Sequence, residues 1–228
     1  MIKAVIFDID GTLMDTNGLH IIAWERAFKR GGYSVSPERI AIEVGKGGDH
    51  LVPAILGEAQ SKADEEEQER IRKAHDEEYT KIANLAKPFP SAEQILARLH
   101  QRGLKVALAS SASEEEVKRY LGYLNADKNV DVVVSKSDVE SSKPAPDVFS
   151  VALKKLGLKS NQAVAIGDTP YDISAARKLE LPCVAVLSGG FDRQQLEPEG
   201  PVAIFASVAE LQAHLDELIE LKFDQEQR

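Results

Sequence analysis

Two aspartates two positions apart, Asp8 and Asp10, close the apolar run Ala4–Ile9 in the segment Asp8-Ile9-Asp10-Gly11-Thr12. Three further polar clusters follow apolar runs. Ser110-Ser111 comes after Lys105–Ala109, Ser142-Lys143-Pro144 lies beyond Val130–Ser135, and Gly167-Asp168-Thr169-Pro170-Tyr171-Asp172 continues from Ala163–Gly167. Brought to one crevice, these segments deliver the carboxylates of Asp8, Asp10, Asp168 and Asp172, the Ser110 hydroxyl and the Lys143 ammonium. Carboxylates so crowded cannot all ionise, and one lysine cannot neutralise them. A hard divalent cation can. Mg²⁺ takes few protein carboxylates, keeps waters and accepts a substrate phosphate oxygen. An acidic Mg²⁺ cradle beside a lysine and a hydroxyl suits phosphoryl transfer, which depends on positioning and charge neutralisation. A carboxylate can then serve as nucleophile.

The runs that precede these clusters are rich in Val, Ile and Ala without polar alternation, as strands covered on both faces are. Cys183–Leu187 and Ala203–Ala206 continue the series. Helical patterns at Ser113–Leu124, Pro146–Leu156 and Pro170–Leu179 separate the later runs. Strands alternating with helices predict right-handed crossovers and an α/β fold, a doubly wound parallel sheet of Rossmann type. Ligands bind such sheets at the carboxyl edge, where the polar clusters fall. A last helix is expected over Ser207–Leu221, with Ser207 and Glu210 spaced as a capping box.

One connection is too long. Between Asp10 and Lys105 only Ser91–Gln101, with Ser91 as N-cap and Gly103 as stop, is needed for a crossover. The surplus reads as helices at Asn17–Arg30, Pro37–Val44, Asp49–Leu56 and Ser61–Leu85. The expected organisation is a core of residues 1–14 and 88–228 carrying an inserted α-helical cap domain, 15–87. The acidic run Asp64–Glu69 reads as a solvated helix face. His20 and Trp24, four apart, share a helix face on which packing is the ordinary role. The loop Gly45-Lys46-Gly47-Gly48-Asp49 is either a plain interhelical turn or a place where backbone and Lys46 approach an anionic substrate. Asp172 fits a capping box with Thr169 and can serve a metal as well. Cys183 reads as a small buried hydrophobe.

Composition narrows the partners. The chain has 228 residues, 43% of them hydrophobic, and 28 basic against 37 acidic side chains give a net charge of −9. That amount of apolar material builds a core, and that charge disfavours nucleic acid or anionic lipid as a bulk partner. A single cysteine excludes an intrachain disulfide framework and a Cys-based zinc site. No apolar run approaches the roughly 18 residues of a membrane span, and the start of the chain, broken by Asp8 and Asp10, is not a signal peptide. The expectation is a cytoplasmic protein acting on a small phosphorylated metabolite, with no nucleic acid and no membrane.

With its four motifs in this order over nearly the whole length, the chain resembles the haloacid-dehalogenase-like phosphatases, in the branch of phosphoglycolate phosphatase and β-phosphoglucomutase. The resemblance implies that Asp8 attacks phosphorus, while Asp10 protonates the leaving oxygen and later deprotonates water. It implies Mg²⁺ held by the carboxylates of Asp8 and Asp168 and the carbonyl of Asp10, with Asp172 supporting the metal shell. Ser110 and the Ser111 N–H would bind phosphoryl oxygens, Lys143 would bridge Asp8 and the phosphoryl group, and His20 would position Asp10. A mutase of this branch carries Glu-Asp where this chain has Gly167-Asp168, and lacks a second aspartate such as Asp172. These departures favour the hydrolase, while His20 keeps the mutase open. A dehalogenase would leave Asp10 and Asp168 without a task. A phospho-accepting switch would need no cap.

Overall fold

The structure, a computed structural model, describes residues 1–59 and 65–220. In chain order the elements are β1 (Ala4–Phe7), β2 (Met14–Asp15), α1 (Asn17–Arg30), α2 (Pro37–Ala41), α3 (Gly48–Ala59), α4 (Glu65–Thr80), β3 (Lys87–Pro88), α5 (Ala92–Gln101), β4 (Lys105–Ala109) and α6 (Glu114–Tyr123). There follow β5 (Val132–Val134), α7 (Asp147–Leu156), β6 (Ala163–Gly167), α8 (Pro170–Arg177), β7 (Cys183–Val186), α9 (Arg193–Leu196), β8 (Ala203–Phe205), α10 (Val208–Ala213) and α11 (Leu215–Glu220).

Six strands form one sheet in the order β5-β4-β1-β6-β7-β8, every pairing parallel. β1 is central, with Phe7 opposite Leu108 of β4 and Ile166 of β6. Alternation along the strands gives two unlike faces. One carries Val5, Phe7, Val106, Leu108, Val164, Ile166, Val184 and Val186. The other is mostly small: Ala4, Ala107, Ala109, Ala163, Ala165 and Ala185. On the inner strands both faces are buried, so the unbroken apolar runs are what a sheet sandwiched between helices requires, and the edge strands β5 and β8 are half-buried.

The inserted helices have their own core, in which Trp24, Phe28, Ile40, Leu51, Val52, Ile55 and Ile71 are buried together. The chain enters and leaves this segment through a ribbon absent from the sequence reading. β2 pairs antiparallel with β3, Met14 opposite Pro88 and Asp15 opposite Lys87. Two residues per strand are too few to leave a periodic signal.

Several bounds differ from expectation. α3 starts at Gly48 and runs past Gly57 to Ala59 rather than ending at Leu56, because its apolar face is packed in the cap core, and tertiary burial outweighs local propensity. α2 stops at Ala41 rather than Val44, and α8 at Arg177 rather than Leu179. α4 ends at Thr80, and Ala83–Leu85 forms a separate 3₁₀ turn. The expected helix start at Ser61, and Asp64 of the acidic run, fall outside the described residues, as does Leu221. Ser91 occupies the N-cap position of α5 with a left-handed φ of 69° and makes no side-chain cap bond. Capping needs extended dihedrals at that position. The terminal helix breaks at His214 into α10 and α11. Its capping box is half formed, since the Ser207 hydroxyl accepts from the Glu210 amide while Glu210 accepts from the Ala206 amide.

Candidate active site

The carboxyl ends of β1, β4 and β6 open onto one cleft, lined also by the cap. Asp8 continues β1, its amide donating to Ile166 O at 2.8 Å, which fixes the start of the loop. Gly11 turns that loop with φ +75°. More than backbone freedom is needed there, because a Cβ on Gly11 would lie 2.3 Å from Asp168 Oδ2. The tip of β4 presents Ser110, and Asp168 follows β6. α8 begins with Thr169 as N-cap and Pro170 in its first turn, a start that places Asp172 on the inward side.

Asp8, Asp168 and Asp172 each offer an oxygen within 4.8 Å of the others, and all three are buried. The buried Lys143 ammonium hydrogen-bonds Asp8 and donates to Ala109 O at 3.0 Å. It also lies 2.8 Å from Asp172 Oδ1, close enough for an ion pair but without the angle of a hydrogen bond. Burial, with Asp172 and Asp10 nearby, pushes Asp8 up to about 7 in spite of Lys143. Burial and the charges of Asp172 and Asp8 hold Asp168 well above the ordinary carboxylate range. Burial depresses the Lys143 ammonium, but the two aspartates outweigh it and hold its pKa above the ordinary lysine value.

This set fits a divalent cation. Three buried carboxylates face one ammonium, and Asp172 Oδ1 is buried without a hydrogen bond. The space beside Asp168 is kept open by glycine, since a Cβ on Gly189 would lie 1.6 Å from Asp168 Oδ2. The Asp168 oxygens are held by Thr12 Oγ1 at 2.7 Å and Asn17 Nδ2 at 3.0 Å, and Asn17 Nδ2 also donates to Gly189 O at 2.8 Å.

Asp10 stands apart from that cluster. Its carboxylate accepts from Thr16 Oγ1 at 2.8 Å and from Ser110 Oγ at 3.3 Å, and His20 Nε2 lies 3.2 Å away. Burial raises the Asp10 pKa, but these bonds and the charge of His20 more than offset it and hold the group below its ordinary value. The cleft thus contains two kinds of carboxylate: a crowded set in which Asp8 and Asp168 have raised proton affinity, and Asp10, hydrogen-bonded toward the anion. Ser111 Oγ, on the cleft wall, is buried and unpartnered.

Of the cap residues singled out in the sequence, His20 reaches the site and touches Asp10. Lys46 lines the cleft, but its ammonium is ion-paired with Glu43 and sits 4.7 Å from the centre of the Tyr171 ring. Gly47 packs on the core, where a Cβ would lie 2.3 Å from Ser142. Next to it Asp49 Oδ2 accepts from the Ser142 amide at 3.0 Å. The glycine loop therefore docks on the segment bearing Lys143 and leaves Lys46 beside the α8 turn. Asn17, Thr12 and Gly189 carry weight here without having been singled out. Thr12 lies inside the first motif. Gly189 has a signal of position, a glycine just beyond a strand's carboxyl end. Asn17 has none, because its partner is 151 positions away.

Gly167 and Asp172, two separate departures in the sequence, are one feature in space. A Cβ on Gly167 would lie 2.4 Å from the Cβ of Asp172. A side chain at 167 is therefore incompatible with Asp172 on this backbone. Gly167→Ala is expected to cost about 1–3 kcal/mol by overpacking. Adding Asp172→Gly should recover part of that loss, giving a coupling of about 1 kcal/mol or more in a double-mutant cycle of urea denaturation. Additive effects would show the backbone absorbing the clash.

A doubly wound parallel sheet with carboxylates gathered at the end of its central strand, beneath an inserted helical cap, defines a class of hydrolase. The chain matches the family model of haloacid dehalogenase-like hydrolases over residues 5–186 and belongs to that family. A protein of Caldanaerobacter subterraneus subsp. tengcongensis, provisionally named a pyrophosphatase, is 34% identical over 207 residues, 88% of each chain. The phosphoglycolate phosphatase of Photorhabdus laumondii is 27% identical over 212 residues, 92% of this chain and 91% of its own. The crystal structure of a hydrolase from Pseudomonas syringae superposes with a TM-score of 0.89 at 30% identity, covering 95% of this chain and 99% of the other.

Proposed function

We propose that this chain is a Mg²⁺-dependent phosphatase that hydrolyses phosphate monoesters of small metabolites through an aspartyl-phosphate on Asp8. The observation that carries the reading is the division of the carboxylates: Asp8, Asp168 and Asp172 around Lys143, and Asp10 apart on its own hydrogen bonds. Family membership and phosphatases among the relatives support it. We assign residues 1–14 and 88–228 to the catalytic core and 15–87 to the cap, a division the β2–β3 ribbon favours.

The carboxylates of Asp8 and Asp168, with the Asp10 carbonyl, would hold Mg²⁺, and Asp172 would support that set. The cation neutralises the cluster and the phosphate, so that an anionic nucleophile can meet an anionic ester. Lys143 orients Asp8 and faces the transferring group. In the first step an Asp8 oxygen bonds phosphorus, the ester P–O bond breaks, and the proton that His20 and Asp10 share passes by way of Asp10 to the leaving oxygen. In the second, water attacks phosphorus, Asp10 takes a proton from it, and Asp8 leaves as carboxylate with inorganic phosphate released. Ser110, whose hydroxyl donates to Asp10 at 3.3 Å, and the Ser111 N–H would bind the phosphoryl oxygens, with the unpartnered Ser111 hydroxyl beside them.

The test is a turnover screen of phosphorylated metabolites with and without Mg²⁺. Inorganic phosphate should be released from simple monoesters with no bisphosphate activator. In Asp10→Asn, p-nitrophenyl phosphate should give a stoichiometric p-nitrophenol burst and then a slow steady state, because a good leaving group needs little protonation whereas water still needs a base. The His20–Asp10 contact is the observation that keeps the sugar-phosphate mutase as second reading. Interconversion of hexose phosphates much faster than phosphate release would establish it.

A further inference from the structure

Behind His20 lies a second buried imidazole. His20 Nδ1 is 3.2 Å from His75 Nε2, and His75 Nδ1 is 3.1 Å from Asp76 Oδ1. With His20 Nε2 at 3.2 Å from Asp10, a continuous row of side chains runs along the cleft wall: Asp10, His20, His75, Asp76. The Asp76 side chain is 62% exposed and that of His75 8%. Aromatic rings close both ends of the histidine stack. Trp24 lies on His75 with centroids 3.9 Å apart at 19°, and Tyr79 lies on His20 at 4.1 Å and 2°. Stacking leaves the ring edges for hydrogen bonding, and each of the four nitrogens has one partner.

The donor count then fixes direction. An exposed carboxylate only accepts, so His75 Nδ1 carries the hydrogen toward Asp76. A neutral imidazole with Nδ1–H has a bare Nε2, which must accept. His20 therefore donates from Nδ1, and its Nε2 is left to Asp10. We propose that His75, anchored by Asp76, is a positioning residue for the acid–base step: by accepting the Nδ1–H of His20 it commits the other nitrogen of that ring, with the proton shared there, to Asp10. Electrostatics agree with this direction. Burial, with His20 alongside, holds His75 below the ordinary histidine value despite Asp76, so it stays neutral. His75 belongs to α4 and His20 to α1, so two cap helices together orient the group that meets a core carboxylate.

This inference rests on the phosphatase reading, and its test separates the two. His75→Phe keeps an aromatic ring in the stack and removes the acceptor. His75→Gln places an amide oxygen where Nε2 was. With an alkyl phosphate, whose leaving oxygen needs a proton, His75→Phe should lower kcat about 10- to 100-fold with KM little changed. With p-nitrophenyl phosphate the loss should be several-fold smaller, and His75→Gln should recover most of the activity. Equal losses on both esters, or no loss, would overturn the proposal. Independently of turnover, nitrogen-15 spectra of the wild-type rings should show His75 protonated at Nδ1 and bare at Nε2. A hydrogen on His75 Nε2 would overturn it, even if His75→Phe failed to fold. A wild type that releases phosphate from no monoester would instead sink the phosphatase reading and leave the ring spectra to decide the hydrogen-bond direction.

Discussion

Asp8→Asn is expected to lower kcat by at least about 10³-fold, about 4 kcal/mol of barrier, while the protein stays folded. The amide keeps the size of the side chain and removes the anionic nucleophile. Removing one partner of a buried ion pair ordinarily costs about 3–5 kcal/mol, because a charge is left without compensation. That penalty is avoided here, since the Lys143 ammonium retains Asp172 at 2.8 Å. Asp8 is, in addition, held at raised proton affinity by burial and by neighbouring carboxylates, and the substitution relieves that crowding. Melting temperature should therefore hold or rise while turnover collapses. Steady-state kinetics on protein verified free of deamidation, with a thermal melt of the same sample, checks both halves. Near-normal turnover would move the nucleophile elsewhere.

Chelation has the second large effect. EDTA should abolish activity and Mg²⁺ restore it, whereas Ca²⁺ should inhibit, because its larger and looser coordination lets Asp8 bind in two-toothed fashion and lose alignment. The same carboxylates set a pH dependence whose sign can be worked out. Asp8 is raised from 3.8 to about 7, and Asp168 is raised as well. A raised carboxyl contributes stability that is complete below its unfolded value and is lost as pH climbs through its folded one. Without metal, the folded protein should weaken between about pH 4 and pH 7. Mg²⁺ displaces those protons and removes the penalty, so the rise in melting temperature it produces should be larger near pH 8 than near pH 5. Full activity in EDTA, or a metal-induced rise that shrinks with pH, would contradict the assignment.

What was legible in the chain followed from distance along it. β1, β4, β6 and β7 are buried on both faces, so their apolar runs carry no alternation to confuse them, and the residue just after each strand is placed by the sheet itself. Asp8, Ser110 and Asp168 could be found that way. Lys143 lies beyond its strand, but close to the proline that opens the next helical pattern. Contacts made across the molecule had no such trace. Asn17 reaches Asp168 and His75 reaches His20 over separations at which one sequence holds no record. Gly167 and Asp172 were both visible, yet the dependence of Asp172 on a glycine at 167 appears only when a Cβ is built there. The bounds of α3 escaped for the opposite reason. Its local stop signal, Gly57, was overridden by burial of Leu51, Val52 and Ile55.

The β2–β3 ribbon has an evolutionary consequence. With Asp15 opposite Lys87 and Met14 opposite Pro88, the chain leaves the sheet and returns to it at nearly one point. Everything between is then a cassette. It can lengthen, shrink or be exchanged for an unrelated segment without moving the register of the six parallel strands, because neither end has to be carried to a new place. A lineage can so remodel what it recognises while inheriting its chemistry unaltered. The independence is incomplete at identifiable places, near the first joint and deeper in the cap. Asn17, two positions past it, holds the Asp168 carboxylate, and His20 holds that of Asp10. A replacement cassette must either reproduce those polar groups or leave the host to find substitutes for them, and the opening residues of α1 are the seam at which such exchanges would be recorded.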